Sequence, residues 1–146
     1  MWWITALLAG FGAAGAAATG FYGDWVLGRP TGWGLIAHMA FAGGAMVGFT
    51  MWAVRGAGAH CIDAAARRTG AVEILRRSLF WLLLLFALAS MTTMLSAMLP
   101  VFGYIGQDWL TEWHERSGMG IVVAGALYLV LSAVVRLAGG EKKDVS

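Results

Sequence analysis

The chain is short of charged residues. Of its 146 residues, 12% are charged and 60% are apolar, whereas an ordinary soluble domain carries about 25% charged residues. A chain so poor in charge cannot cover a water-facing surface, so we expect its solvent to be lipid. The net charge of +2 is also too small to indicate a nucleic-acid partner.

Cysteine is nearly absent as well, since Cys61 is the only one in the chain. A single cysteine excludes an internal disulfide, a four-cysteine cluster and the C-x-x-C-H attachment of c-type haem. Any haem in this protein must therefore be bound non-covalently. Nothing indicates hydrolysis either, because no carboxylate pair lies inside an apolar run and no serine stands beside a usable base.

Four apolar runs are each long enough to cross a bilayer, which takes roughly 20 helical residues. We expect spans at residues 2–22, 33–54, 79–106 and 114–137, and hence an all-α, integral membrane four-helix bundle with up-down connections. The first run has no basic segment before it, so we expect a span rather than a cleaved signal peptide. The arginine-rich connection 55–78 predicts an amphipathic cytoplasmic segment that lies on anionic lipid or docks a cytoplasmic partner.

Basic residues are unevenly distributed among the connections. Eight of the ten Lys and Arg residues lie in the connection 55–78 or after residue 135, and only Arg29 and Arg116 lie in the other two connections. Because basic residues favour the cytoplasmic side, we expect both termini in the cytoplasm. The expected location is the inner (cell) membrane of a bacterium.

Two histidines, His38 and His114, lie near the outer ends of the second and fourth predicted spans. Ionisable groups within a membrane are costly and are functional by default. These two spans run in the same direction, so both imidazoles reach a similar depth and can ligate one iron. We therefore predict one haem b, with both histidines as iron ligands. The structural alternative is a neutral histidine that bonds to a neighbouring helix.

The chain also contains a loose internal repeat. A shift of 76 residues places His38 on His114 and Gly44 on Gly120. This spacing predicts a duplicated two-helix hairpin with an axis along the membrane normal. A haem on that axis would take one ligand from each half. Chance matching is the alternative, because glycine is common in this chain.

Residues near the two histidines are further candidates for haem contacts. Ala42 and Gly118 follow the histidines by one turn on the same helix face, where a small side chain leaves room for a porphyrin. Ordinary helix packing is the alternative. Arg116 and Arg29 are candidates to pair with haem propionates or are plain surface charges. We expect His60 to be solvated rather than a ligand.

The second half of the chain carries a family resemblance. It reads Arg76-Arg77-Ser78-Leu79-Phe80-Trp81, then Thr92-Thr93-Met94-Leu95, then Leu99-Pro100-Val101-Phe102-Gly103, then His114 with Gly118. This pattern resembles the cytochrome b subunits of membrane-bound formate dehydrogenases, hydrogenases and thiosulfate reductases. The resemblance implies a haem-binding helix bundle that passes electrons between a partner enzyme and quinone.

The chain departs from that family pattern at two positions. Those families often have a histidine where Phe80 stands, and another 14 residues after His114, where this chain has Tyr128. The resemblance therefore implies a single-haem variant with no catalytic site of its own. Its expected partners are membrane lipid, other subunits of a redox complex and a quinone.

Two other functions stay open at the level of sequence. The first is a haem-free membrane anchor or assembly subunit, in which the histidines only bond between helices. The second is a small haem enzyme of the protoporphyrinogen-oxidising type, although the lysine usual within a span of such enzymes is absent here.

Overall fold

The described part of the chain folds into four long helices. The computed structural model describes residues 2–28, 31–62 and 70–140. The helices are α1 (Trp2–Leu27), α2 (Gly32–Gly56), α3 (Ala71–Ala97) and α4 (Tyr104–Gly140), and a short 3₁₀ turn, Gly58–His60, follows α2. Arg29 and much of the basic connection, including Arg67 and Arg68, lie outside the described residues.

All four helices are long and apolar enough to cross a membrane. The spanning segments are Ile4–Leu27, Gly32–Gly56, Ala71–Ala97 and Tyr104–Leu137. Large apolar side chains project outward between their ends, as Phe11 (71% exposed) does on α1. Only a lipid environment suits such a surface. The predicted all-α, integral membrane four-helix bundle is confirmed.

The third helix differs in its bounds from the predicted span. Residues 79–106 were expected to form one span, but α3 ends at Ala97 and a connection containing Pro100 follows. Proline cannot continue a helix and disfavours helical geometry in the residue before it. At its other end α3 begins at Ala71, because Glu73 pairs with Arg76 and Arg77 one turn further along and so supports two polar turns before the apolar run.

The helices pair as two hairpins, α1 with α2 and α3 with α4, and the hairpins meet each other far less extensively. Within the first hairpin the backbones touch. A Cβ on Gly12 would clash with the backbone of Ala45, and one on Gly48 would clash with the backbone of Ala9. Small residues allow this close approach, which is typical of membrane helices.

The second hairpin is packed at equivalent positions but less closely. There the Phe86 ring covers Gly120, where a Cβ would lie 2.7 Å from it. In the first hairpin a Cβ on Gly12 would also lie 3.0 Å from the carbonyl carbon of Gly44. Phe86 follows Gly12 by 74 residues, and Gly120 follows Gly44 by 76. The sequence offset grows from 74 to 76 because the connection from α3 to α4 is two residues longer than the connection from α1 to α2, six residues against four. These equivalent contacts support the predicted repeat.

The close contact of α1 with α2 predicts opposite effects for two glycines on α2. Gly48→Ala should destabilise the bundle by about 1–3 kcal/mol, because the new methyl group forces the helices apart. Gly43→Ala is the matched control, since a Cβ there meets nothing within 4 Å, and loss of glycine from a helix stabilises by roughly 0.5–1 kcal/mol. Unfolding in detergent measures both. Equal stability of the two variants would contradict the packing described.

Candidate functional site

His38 and His114 face each other across the boundary between the two hairpins. Their ring centroids lie 6.3 Å apart and the ring planes cross at 85°. Both side chains are half-buried. The fold thus brings together two residues that are 76 positions apart in the chain.

Each imidazole is anchored through Nδ1 to the preceding helix of its own hairpin. His38 Nδ1 lies 2.9 Å from the Ala16 carbonyl oxygen and 3.3 Å from Thr19 Oγ1. His114 Nδ1 lies 2.9 Å from the Ser90 carbonyl oxygen and 3.1 Å from Ser90 Oγ. A carbonyl oxygen only accepts, so in both rings Nδ1 carries the proton and donates it.

The other nitrogen of each ring is available as a ligand. Neither Nε2 has a hydrogen-bond partner among the residues that the structure describes. In a neutral imidazole with the proton on Nδ1, the lone pair is on Nε2. Metal-ligating histidines commonly donate their second N–H to a backbone carbonyl, which fixes the tautomer and the ring orientation. Both rings are held in that form.

The spacing of the rings fits one metal atom between them. Ring bonds of about 1.33 Å put each nitrogen about 1.1 Å from the ring centre, and a metal–imidazole bond is about 2.0 Å long. Two such ligands in line have centres about 6.2 Å apart, against the observed 6.3 Å. A direct hydrogen bond between the nitrogens would bring the centres to about 5.1 Å.

The number of protein ligands distinguishes a haem from a bare metal ion. The described part of the chain contains no group of three or more His, Cys, Asp or Glu side chains placed to hold a metal. Two imidazoles alone leave a zinc-type site two ligands short. A haem iron needs only its axial ligands from the protein. The histidine pair therefore fits a haem better than a free cation.

Small residues leave space beside the pair. A Cβ on Gly118, one turn after His114, would meet nothing within 4 Å, and Ala42 stands half-buried one turn after His38. A Cβ on Gly20 would lie 3.2 Å from His38 Cε1. Gly20 thus lets the imidazole lie against α1, a role that nothing in its sequence neighbourhood indicated.

Arg116, the expected partner of a haem propionate, lies apart from the histidine pair. Its guanidinium pairs with Glu112 one turn earlier, and the arginine side chain is 62% exposed. It also lies over the Trp113 ring, 5.7 Å from the centroid. Two residues correspond to about 200° around a helix, so Arg116 and His114 project from different faces. Arg29, the other candidate, lies outside the described residues.

His60 is buried, so the expectation of a solvated residue is wrong. Its side chain is only 2% exposed and stacks on Phe80 with centroids 4.0 Å apart. Its Nδ1 donates to the Gly56 carbonyl oxygen at 2.9 Å. Its Nε2 accepts from the Arg76 guanidinium at 3.2 Å and lies 3.0 Å from the Tyr128 hydroxyl. Its partners beyond α2 are distant in sequence, which is why local composition gave no sign of this burial.

These contacts form a His60 cluster, which joins the two hairpins at the end opposite the histidine pair. Its members are His60, Trp52, Arg76, Phe80 and Tyr128. The Trp52 ring lies 5.0 Å from Phe80 and 5.3 Å from Tyr128. Phe80 and Tyr128, the two positions at which the resemblance would have placed histidines, thus belong to a cluster of packed aromatic rings.

Comparisons with known proteins add no relative to this picture. No family model, curated protein or solved structure matches the chain significantly. The histidine pair and its surroundings are therefore the features of this protein that bear on its function.

The His60 cluster predicts a pH-dependent stability. Burial lowers the pKa of His60, and the nearby positive charge of Arg76 lowers it further, against the opposing effect of the bond to the Gly56 carbonyl. The unfolded chain then takes up a proton more readily than the folded one. The stabilisation is present above about pH 6.5, the ordinary histidine pKa, and is lost as the pH falls toward the folded pKa.

Thermal unfolding in detergent across about pH 7.5 to 5.5 would measure this loss. His60→Gln is the control, because it keeps hydrogen-bonding groups but does not titrate. The difference in slope between the two proteins isolates His60 from His38 and His114. Identical slopes would show that the buried imidazole is not linked to stability.

Proposed function

We propose that this chain is a membrane-anchoring cytochrome b subunit that binds one non-covalent haem b between His38 and His114. One observation carries the proposal. Two imidazoles from different hairpins stand at the spacing of one shared metal atom, each with Nδ1 bonded to a helix carbonyl and Nε2 without a partner among the described residues.

The unpartnered Nε2 atoms favour this proposal over a haem-free anchor. Histidines that only bond between helices would account for the Nδ1 contacts to Ala16 and Ser90. They would give no role to the second nitrogen of each ring, nor to a centroid spacing of 6.3 Å, which is too wide for a direct hydrogen bond between the rings. Ligation of iron uses that nitrogen on both rings.

The residues around the pair define what each would do. When bound, the haem would supply one-electron redox chemistry. His38 and His114 would hold the iron through their Nε2 atoms, and the carbonyls of Ala16 and Ser90 would fix the ring orientations. A haem held by two protein ligands would offer a substrate no binding position. This supports an electron-transfer role without a catalytic site in this chain.

The proposed electron route runs to the outer face of the membrane. The histidines lie near the ends of α2 and α4 that the distribution of basic residues assigns to the outside. The opposite end is filled by the His60 cluster. We therefore propose that a redox subunit or a quinol meets this protein at its outer, periplasmic side, and that the protein belongs to a bacterial inner membrane with cytoplasmic termini.

An apolar groove between α3 and α4 bears on the quinone partner. It has a volume of about 370 Å³ and its lining side chains are all apolar: Leu79, Leu82, Phe86, Met119, Val123, Ala124 and Leu127, with Gly120 between them. A groove without polar groups suits a lipid chain or an isoprenoid tail. It provides no hydrogen bond for a quinone head group, so we propose the quinone as a partner of the complex rather than as a ligand of this groove.

The ligand assignment predicts which histidines the haem needs. A reduced-minus-oxidised absorption spectrum of the purified protein should show a low-spin b-type haem. His38→Ala and His114→Ala should each abolish it, because either removes one axial ligand. His60→Gln is the matched control and should retain it. A correctly folded wild-type protein that carries no haem would instead favour the haem-free anchor.

The orientation can be tested with the single native cysteine. Cys61 is exposed just after the 3₁₀ turn, so a membrane-impermeant maleimide should label it only from the cytoplasmic side. In a Cys61→Ser background, Val101→Cys should be labelled from the outside, since Val101 is 77% exposed between α3 and α4. The opposite labelling pattern would reverse the proposed polarity.

A further inference from the structure

Ser90 differs from the two threonines that follow it on α3. Thr92 and Thr93 donate to carbonyls one turn earlier, those of Leu88 and Ala89, at 2.8 Å. Such back-bonding is the ordinary way for a hydroxyl to be satisfied inside a helix. Among the described residues, Ser90 Oγ has one hydrogen-bond partner only, His114 Nδ1, at 3.1 Å.

The side chain and the backbone of Ser90 therefore act on the same atom. The carbonyl oxygen takes the Nδ1–H of His114 at 2.9 Å. Since that nitrogen is the donor, Ser90 Oγ accepts a second, longer branch of the same bond. One residue thus supplies two oxygen acceptors to one imidazole N–H.

In the first hairpin the two acceptors come from two different residues. The residue equivalent to Ser90 is Ala16, 74 positions earlier, which offers a carbonyl but no hydroxyl. The nearest hydroxyl is Thr19 Oγ1, 3.3 Å from His38 Nδ1. That hydroxyl already donates to the Gly15 carbonyl at 2.7 Å. A hydroxyl that donates to one group can still accept from another, so His38 Nδ1–H also has two oxygen acceptors, and its second acceptor is more distant than that of His114.

This inequality has an electronic consequence. Negative oxygen atoms beside Nδ1–H draw its proton outward and raise the electron density on the ring, so that Nε2 becomes more basic. A more basic axial ligand stabilises ferric iron relative to ferrous iron and lowers the reduction potential. Two acceptors do this more strongly than one.

We propose that Ser90 is a positioning residue whose hydroxyl makes His114 a more strongly electron-donating ligand and so lowers the reduction potential of the haem. The proposal rests on the proposed function, because it requires a haem between His38 and His114. It assigns to Ser90 a role exerted through the imidazole, without contact with the iron.

A redox titration of the purified haem protein tests the proposal. Ser90→Ala should raise the midpoint potential, so that the ferrous-to-ferric ratio at a fixed ambient potential rises about threefold, the effect expected of one modest hydrogen bond. Ala16→Ser should shift it in the opposite direction, because it places a hydroxyl at the equivalent position beside His38. A residue that served packing alone would not give opposite shifts.

Two further variants complete the test. Ser90→Thr keeps the hydroxyl and should retain the wild-type potential. Thr92→Ala removes a hydroxyl two residues away that bonds back to Leu88, and it should leave the potential unchanged. If Ser90→Ala loses the haem while Ser90→Thr keeps it, the result still supports a role of the Ser90 hydroxyl in holding His114. Loss of haem from both variants would overturn that assignment.

Different results would overturn the proposed function and the role of Ser90. A folded wild-type protein without haem overturns the proposed function, and this inference falls with it. A wild-type protein that binds haem through both histidines, but whose potential is unchanged or lower in Ser90→Ala, overturns the role of Ser90 alone.

Discussion

The candidate site depends on one interaction made twice, the hydrogen bond from a histidine Nδ1–H to a helix carbonyl. A helical carbonyl oxygen can accept a bond beyond that of its own helix, and each of these oxygens also accepts from a threonine hydroxyl, Ala16 from Thr19 at 3.2 Å and Ser90 from Thr93 at 3.1 Å. In lipid no water competes for the N–H, so the bond holds both the tautomer and the plane of the ring. Because Nδ1 donates its proton to the carbonyl oxygen of Ala16 or Ser90, the lone pair of each imidazole is on Nε2.

The two ends of the bundle are held together in different ways. At the end that contains the His60 cluster the chain supplies the whole joint, since His60 bonds both Arg76 and Tyr128 amid packed aromatic rings. At the other end His38 and His114 approach but make no bond to each other. Close helix packing stabilises each hairpin by itself. A group that both imidazoles ligate would complete the bundle at the end where the chain leaves it open.

Much of the fold could be predicted because a lipid environment restricts the backbone structures that a chain can adopt. A span must satisfy every backbone group internally, so an uncharged apolar run of sufficient length becomes a helix. The prediction was less accurate where local chemistry competes with hydropathy. Pro100 ended α3 inside an apolar run, and the pairing of Glu73 with Arg76 and Arg77 extended the same helix into a charged segment.

The sequence by itself determined the four helices, the uneven distribution of charge and, through its repeat, the pairing of His38 with His114. Only the tertiary structure decided how those rings are held. Every residue carries a carbonyl, so nothing in the identity of Ala16 marks it as an anchor, and Gly20 matters only because α2 brings His38 against it. The burial of His60 could not be predicted from the sequence for the same reason. A side chain's environment is set by partners 16 and 68 residues away, which meet it only once the helices have packed.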